Sequence, residues 1–172
     1  MANSSPSTVR TSGRCRPSRW TSGWAAAPPA ALSRVGRLAD GWLGSLLAPE
    51  EARAARETIQ AAASAAGREV EADHFGMSLA VAPGGGAPGG GAPGGGAPGG
   101  GVPADLASAI RQRRPGSDPA ALVPAGWAAA TRMIEQYIVA GISKFVVRPA
   151  APPASLDDFL NDFARELMPL QT

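Results

Sequence analysis

The stretch from residue 126 to 149 constrains the fold of this chain most, because a helical pattern there leads directly into a short apolar run. Apolar side chains recur at three- and four-residue steps, which predicts a helix with one buried face. Gly141 follows the last periodic turn and is typical of a left-handed helix C-cap. The side chains that mark the predicted face are Met133, Ile134, Ile138 and Ile142.

The apolar run after this helix, Phe145 to Val147, predicts a strand. A continuous run of this kind is typical of a strand that is buried on both faces of a parallel sheet. Arg148 and Pro149 close the run, so a charge lies at the carboxyl end of the predicted strand. Because α/β proteins and barrels build their sites at that end, we expect an α/β chain with a site at its strand ends.

The other patterned segments continue the alternation of helices and strands. Prolines open the first two predicted helices, and Ser155 with Asp158 gives the Ser-x-x-acid signature of a final helix. This order predicts a parallel sheet or part of a (β/α) barrel. The predicted helices lie at 30–39, 49–66, 103–114 and from Ser155 onward, and the predicted strands lie at 42–45 and 74–81. The final helix has an apolar stripe of Leu156, Phe159, Leu160, Phe163 and Leu167.

Two stretches lack this patterning. Residues 1–27 are rich in Ser, Arg, Gly and Pro, and we expect a disordered basic leader there. Residues 82–101 are four tandem copies of Ala-Pro-Gly-Gly-Gly, a composition typical of a flexible linker or surface loop. We therefore expect one α/β domain over residues 28–172, interrupted by the repeat.

Charge and cysteine content exclude some classes of protein. Residues 1–39 hold six Arg and no acidic residue, while the whole chain has a net charge of +2. The remainder is therefore mildly acidic, which argues against a nucleic-acid-binding core. The single cysteine, Cys15, allows no internal disulfide and fits a reducing cytosol. Because no apolar run reaches the roughly 18–20 residues of a membrane helix, we expect a cytoplasmic protein without a membrane partner.

The sequence contains no self-evident catalytic motif, and we expect no metal site. The only histidine, His74, lies at the amino end of its predicted strand, which favours a structural role. Arg111, Arg113 and Arg114 are typical of a solvated helix end, although such a cluster can also bind an anion.

Two residues have two interpretations each. Arg148 either faces an anion of a cofactor or substrate, or pairs with an acidic neighbour such as Asp157 or Asp158. Trp42 either stacks on a ring or belongs to the core.

Several segments resemble the luciferase-like flavin- or deazaflavin-dependent oxidoreductases. Residues 29–45, PAALSRVGRLADGWLGS, are similar to the strand-approach segment of that family, and residues 49–81 look like the helix and strand that follow. Residues 126–149 and the closing ELMPLQT resemble its last strand and C-terminal helix. The ordered series of matches carries the resemblance, rather than any single motif.

The resemblance implies a (β/α)8 TIM-type barrel that binds FMN or the deazaflavin coenzyme F-420 at the carboxyl ends of its strands. Such enzymes transfer a hydride to or from a small-molecule substrate, and the flavin members activate oxygen as monooxygenases. This chain would supply about the last three strands with their helices, an incomplete barrel, since a whole barrel takes about 250 residues. The resemblance places Trp42, Ser45, Ser78 and Arg148 at the cofactor and leaves the catalytic residues unknown.

The chain departs from the family pattern near its start, where Ala25 to Ala27 stand in place of a usual Gly-Gly pair that helps to hold the cofactor phosphate. We therefore expect a C-terminal portion that is inactive alone and self-associates through exposed strand edges. The alternative is a non-enzymatic interaction protein with an Arg-rich, polyanion-binding tail and a Gly/Pro tether. The patterned residues of 29–172 favour the oxidoreductase.

Overall fold

A computed structural model describes residues 28–82 and 101–171 of the chain. The predicted leader and residues 83–100 of the repeat lie outside these ranges. The helices are α1 (Pro29–Leu38), α2 (Pro49–Ala65), α3 (Ala104–Arg113), α4 (Pro119–Leu122), α5 (Trp127–Val139) and α6 (Leu156–Glu166). The strands are β1 (Trp42–Ser45), β2 (Phe75–Val81) and β3 (Lys144–Pro149), and short 3₁₀ turns cover Ala72–His74 and Met168–Leu170.

The three strands form one parallel sheet in the order β1-β2-β3. This confirms the α/β fold class that the alternation of helices and strands predicted. In the register, Ser45 of β1 lies beside Ser78 of β2, and Ser78 lies beside Val146 of β3. The described part of the chain is an open sheet rather than a closed barrel.

The main hydrophobic core lies between one face of this sheet and a layer of helices. Alternate side chains of β2, from Phe75 through Met77 and Leu79 to Val81, enter it and are at most 4% exposed. Helix α1 contacts α2, α2 contacts α5, and α5 contacts α6. The four helices therefore follow one another across the sheet in that order, with α1 and α6 outermost.

The opposite face of the sheet, which we call the inner face, is only partly covered. Because successive side chains of a strand point to opposite faces, the residues between the core positions lie there. Helices α3 and α4 cover its carboxyl end through a second apolar cluster of Ala80, Ala82, Ile110, Leu122 and Val123. The inner-face residues are Leu43 and Ser45 of β1, Gly76, Ser78 and Ala80 of β2, and Lys144, Val146 and Arg148 of β3.

The prediction that β3 is buried on both faces is wrong. Its residues alternate between exposed and half-buried along its whole length, and Val146 on the inner face is 51% exposed. The cause is position, since β3 is an edge strand of the sheet and the described residues cover only its core side.

The predicted face of α5 is only partly correct. Ile134 and Ile142 are buried, but Ile138 is 45% exposed, because the buried stripe runs through Ala130, Ile134 and Tyr137. The predicted C-cap is confirmed: Gly141 has a φ of +87°. The Gly141 N–H donates to the Ile138 carbonyl and the Ile142 N–H donates to the Tyr137 carbonyl, both at 2.9 Å, which is the Schellman arrangement.

Helices α1 and α2 approach each other closely at Gly36. A Cβ atom at this position would clash with the carbonyl oxygen of Ile59 and lie 2.9 Å from the Cβ of Ala62. The absence of a side chain at Gly36 therefore permits the contact between the two helix backbones.

We expect Gly36→Ala to lower the free energy of unfolding by about 1–3 kcal/mol, because the added methyl group overpacks the α1–α2 contact. Alanine is normally the better helix former by up to about 1 kcal/mol, so the expected sign is opposite to that of intrinsic propensity. Urea unfolding measures the difference. Arg37→Ala, an exposed change on the same helix, serves as the control, and a stabilised Gly36→Ala protein would contradict the described packing.

Candidate functional site

The carboxyl end of the inner face brings together three of the four predicted cofactor contacts. Ser45 and Ser78 are register partners, and Arg148 lies on β3 beside Ala80, two positions nearer the carboxyl end than Val146. Both serines are half-buried, and neither side chain makes a hydrogen bond within residues 28–82 and 101–171. The two hydroxyl groups and the guanidinium group are therefore available to a ligand at this end of the sheet.

Arg148 is exposed and makes no ion pair with Asp157 or Asp158. No described residue supplies its guanidinium group with any other ion-pair or hydrogen-bond partner. Of the two interpretations that the sequence allowed, pairing with an acidic neighbour is wrong. An unpaired cation at the carboxyl end of a strand is in keeping with an anion-binding role.

Trp42 is separated from this group. Its side chain is 2% exposed, lies in the main core and belongs to the first residue of β1. Two residues later, a Cβ at Gly44 would lie 2.9 Å from Cε of Met77, so the chain needs a glycine beneath the indole ring. Trp42 is therefore a core residue, the second of its two interpretations, and lies on the opposite face of β1 from Ser45.

A polar cluster that the sequence did not predict lies just after β1. Arg114 donates through both terminal nitrogens to the carboxylate of Glu51, with one contact at 2.8 Å, and also donates to the carbonyl oxygen of Leu46. The Ala48 N–H donates to the same carboxylate at 2.7 Å. Leu46 has a φ of +55°, a conformation rarely adopted by branched residues, and the bond from Arg114 helps to hold it.

The prediction that Arg114 belongs to a solvated helix end is wrong, because only 11% of its side chain is exposed. Its partner Glu51 lies 63 residues earlier, beyond the reach of any local sequence pattern. The hydrogen bonds from Arg114 hold the pKa of Glu51 below its ordinary 4.5, against the partial burial that would raise it. The bond from the Ala48 N–H lowers the pKa further.

Tyr137 lies next to this cluster and is 2% exposed. Its hydroxyl donates to the carbonyl oxygen of Leu47. Burial raises the pKa of Tyr137 to about 12, and the negative charge of Glu51 adds to this effect. Together, Arg114 and Tyr137 bind the carbonyl groups of the turn that leaves β1, so this turn is fixed from both sides.

His74 lies at the amino end of β2, as predicted, and therefore at the opposite end of the sheet from Arg148. Its Nδ1 lies 2.7 Å from the carbonyl oxygen of Asp40. Glu71, Asp73 and His74 place potential ligand atoms within 4.8 Å of one another, but the Lys144 ammonium lies 3.4 Å from the Asp73 carboxylate. This cation already neutralises part of the cluster, and the expectation of no metal site stays a prediction.

A groove of about 510 Å³ lies on the helical side, away from the inner face. It separates the beginning of α2 from α5. Its lining is largely charged and exposed: Pro49, Glu50, Arg53, Arg132, Glu135, Gln136 and Val139. None of the predicted site residues contributes to it.

The fold of this chain is similar to parts of larger solved structures. The coenzyme F420-dependent tetrahydromethanopterin reductase from Methanopyrus kandleri matches 84% of this chain and 49% of its own, with 15% identity and a TM-score of 0.53. An F420-dependent secondary alcohol dehydrogenase in complex with an F420-acetone adduct matches 84% and 47%, with 11% identity and a TM-score of 0.54. The chain has part of the luciferase-like barrel fold.

The resemblance drawn from the sequence is thus confirmed at the level of the fold. The chain spans about half the length of these two structures. A weaker likeness, with a TM-score of 0.46 and 18% identity, is to the monooxygenase RslO1 from Streptomyces bottropensis. No protein-family profile and no curated protein matches the sequence.

Among the described helices, none is both long and apolar enough to cross a membrane.

The lowered pKa of Glu51 predicts a pH-dependent contribution to stability. A carboxyl group with a depressed folded-state pKa stabilises the protein above its unfolded pKa, and this contribution is lost as the pH falls through the folded value. We expect Glu51→Gln to lower the free energy of unfolding at pH 7, and the difference from the parent to shrink below about pH 4.5. Urea unfolding at several pH values from 7 to 3 measures it.

Glu57→Gln provides the matched control, because Glu57 lies on the same helix and is exposed. We expect it to leave the unfolding free energy within about 0.5 kcal/mol of the parent. An equal effect of the two substitutions at pH 7 would show that the Arg114 contact does not stabilise the protein.

Tyr137 is the only tyrosine of the chain, so its ionisation can be followed directly by ultraviolet absorbance. We expect a midpoint near 12 in the folded protein and near 10 in concentrated urea. Because the folded pKa is raised, the associated stability is present below pH 10 and is lost as the pH rises towards 12. A folded-state midpoint of 10 would contradict the buried hydroxyl and its bond to Leu47.

Proposed function

We propose that this chain is the C-terminal portion of an oxidoreductase that binds FMN or the deazaflavin coenzyme F-420 and transfers a hydride to or from a small substrate. The observation that carries the proposal is the unpaired guanidinium group of Arg148 at the carboxyl end of the inner face. The fold supports it, because two structures that share it are F420-dependent enzymes.

The residues around Arg148 fit a flavin-type cofactor in part. Gly76, Ser78 and Ala80 give the central strand small side chains on the inner face, and α3 and α4 cover that face at Ala80, so the half-buried Ser78 is the position of β2 nearest to a bound ring. Arg148 supplies planar, paired N–H donors suited to a phosphate or carboxylate, and the hydroxyl groups of Ser45 and Ser78 can donate or accept. Such a cofactor supplies the hydride chemistry itself, while the protein supplies binding and orientation.

The described residues of the inner face include no proton donor or acceptor suited to catalysis. Among the described inner-face residues, only Lys144 and Arg148 carry charged side chains, and Lys144 lies at the amino end, beside Asp73. We therefore propose that the chain binds the cofactor but does not turn over a substrate alone. The proposal also includes activation of oxygen by the enzyme and a cytoplasmic location of the protein.

The alternative function, polyanion binding by the Arg-rich leader, concerns residues outside the described ranges. No contact within those ranges favours it. It predicts binding that weakens steeply with salt, whereas a cofactor seated on Arg148 also depends on ring contacts.

Fluorescence titration of the purified chain with F-420 and, separately, with FMN tests the proposed function. We expect saturable binding of one cofactor, and Arg148→Ala should weaken it by about 10- to 100-fold, the range for a lost charge-assisted hydrogen bond. Arg132→Ala is the matched control, because Arg132 is an exposed cation of α5 on the helical side. Binding that is equally strong in all three proteins would exclude the Arg148 site.

A further inference from the structure

We propose that Glu71, Asp73 and His74 bind a zinc ion at the amino end of the sheet, opposite the candidate cofactor site. The three residues belong to the short turn that enters β2, and their potential ligand atoms lie within 4.8 Å of one another. Carboxylate oxygens and imidazole nitrogens both bind zinc, at about 2.0–2.2 Å. Because all three side chains are at least partly exposed, they are free to close the remaining distance around an ion.

The ring of His74 is held in the orientation that a metal ligand needs. Its Nδ1 lies 2.7 Å from the carbonyl oxygen of Asp40, and because a carbonyl oxygen can only accept, Nδ1 carries the hydrogen. The other ring nitrogen, Nε2, then has a free lone pair in the neutral imidazole. Metal-binding histidines almost always donate their second ring N–H to a carbonyl or carboxylate oxygen in this way. The bond to Asp40 is therefore the outer contact expected beside a metal-bound His74.

The carboxylate of Asp73 is likewise oriented by a neighbour. Its Oδ2 lies 3.4 Å from the ammonium nitrogen of Lys144, and its Oδ1 lies 3.8 Å from Nε2 of His74. With the hydrogen on Nδ1, Nε2 and Oδ1 are both acceptors, so their approach is favourable only with a cation between them. Lys144 binds the other oxygen and does not fill this position. Two carboxylates and one ammonium group leave one negative charge in excess, which favours a divalent ion.

The segment that carries Asp40 is itself fixed against the turn. Arg68 donates to the Asp40 carboxylate at 3.0 Å and to the carbonyl oxygen of Gly36 at 3.0 Å. A Cβ atom at Gly41 would lie 2.8 Å from the carbonyl oxygen of His74, so the absence of a side chain there allows the two backbones to meet. The acceptor for Nδ1 is therefore part of the folded body.

Ser143 joins the turn to the start of β3 on its other side. Its hydroxyl lies 3.3 Å from the carbonyl oxygen of Ala72 and 3.2 Å from that of Phe75, and Lys144 follows it in the chain. Three segments thus meet at the proposed site: the turn after α1, the turn into β2 and the first residues of β3. An ion that binds only this folded arrangement stabilises it.

The donor set favours zinc over magnesium and calcium. Magnesium and calcium bind chiefly to oxygen, whereas imidazole nitrogen is a preferred ligand of zinc. Three protein ligands also leave the fourth position of a tetrahedral ion to water. We therefore expect one zinc ion per chain, with a bound water molecule and without competition from magnesium.

A zinc site contradicts the expectation of no metal site, which rests on the absence of paired His or Cys ligands from the sequence. The orienting partners Asp40 and Lys144 lie 34 residues from His74 and 71 residues from Asp73, so no local pattern reveals them. The proposal does not rest on the proposed oxidoreductase function, because Arg148 lies at the opposite end of the sheet. Failure of one therefore leaves the other standing.

A zinc titration of the full chain tests the site. The protein carries Cys15→Ser, which removes the only thiol, and no polyhistidine tag. His74 is the only histidine, so its imidazole gives a single set of ring proton signals in the nuclear magnetic resonance spectrum. We expect zinc to shift these signals saturably, with one ion per chain, and a large excess of magnesium to leave them unchanged.

Two substitutions and a control identify the ligands by isothermal titration calorimetry. His74→Ala should weaken zinc binding by about 100-fold or more, since even an outer partner contributes about 10- to 100-fold. Glu71→Gln should weaken it by about tenfold or more. The Glu71 side chain makes no capping hydrogen bond, so this variant should remain folded, which circular dichroism verifies. Glu69→Gln is the matched control, because Glu69 is also exposed and lies close by on the same segment.

Four results would each overturn the site. These are the absence of a saturable shift of the His74 signals, parental zinc affinity in His74→Ala, equal losses in Glu71→Gln and Glu69→Gln, and equal competition by magnesium. The last two would show an adventitious ion only, attracted by negative charge without defined ligands.

Discussion

Burial of the central strand on both of its faces is the constraint on which the rest of the described structure depends. On the core side, Phe75, Met77 and Leu79 are at most 2% exposed beneath the helix layer. On the inner face, Ala80 is packed under α3 and α4 near its carboxyl end. A strand with a single polar side chain, Ser78, among seven residues is stable only between two layers, so the helices must cover one side and the α3–α4 segment part of the other.

The Glu51–Arg114 pair joins these two layers. Arg114 comes from the end of α3, on the inner-face side, and Glu51 from the first turn of α2, in the helix layer. Arg114 also donates a hydrogen bond to the carbonyl oxygen of Leu46, in the turn after β1. The geometry at the carboxyl end of β1 therefore depends on residues that are far apart in sequence, and only the folded chain brings them together.

The spacing of apolar residues and the residues that begin and end helices made the local structure predictable. The helix over 49–66, the strand at 42–45 and the cap at Gly141 all rest on patterns within a few residues of sequence. What could not be predicted depends on long-range neighbours. Val146 is exposed because no described element covers it, and Arg114 is buried because it binds a partner 63 residues away. Within the candidate site, Ser45, Ser78 and Arg148 stay predicted cofactor contacts that rest on a family resemblance, whereas Trp42 could not be assigned to a face without the register.

The close approach at Gly36 has a consequence for the order of folding. The α1–β1–α2 unit is joined by contacts of modest sequence separation, such as the bond from Arg68 to the Gly36 carbonyl across 32 residues. Contacts between β2 and the segment before β3 span 68 residues. Because closing a longer loop costs more entropy and slows folding, we expect the α1–β1–α2 unit to form first. It can form during synthesis, before β3 has left the ribosome, and then serve as the template on which the later strands align.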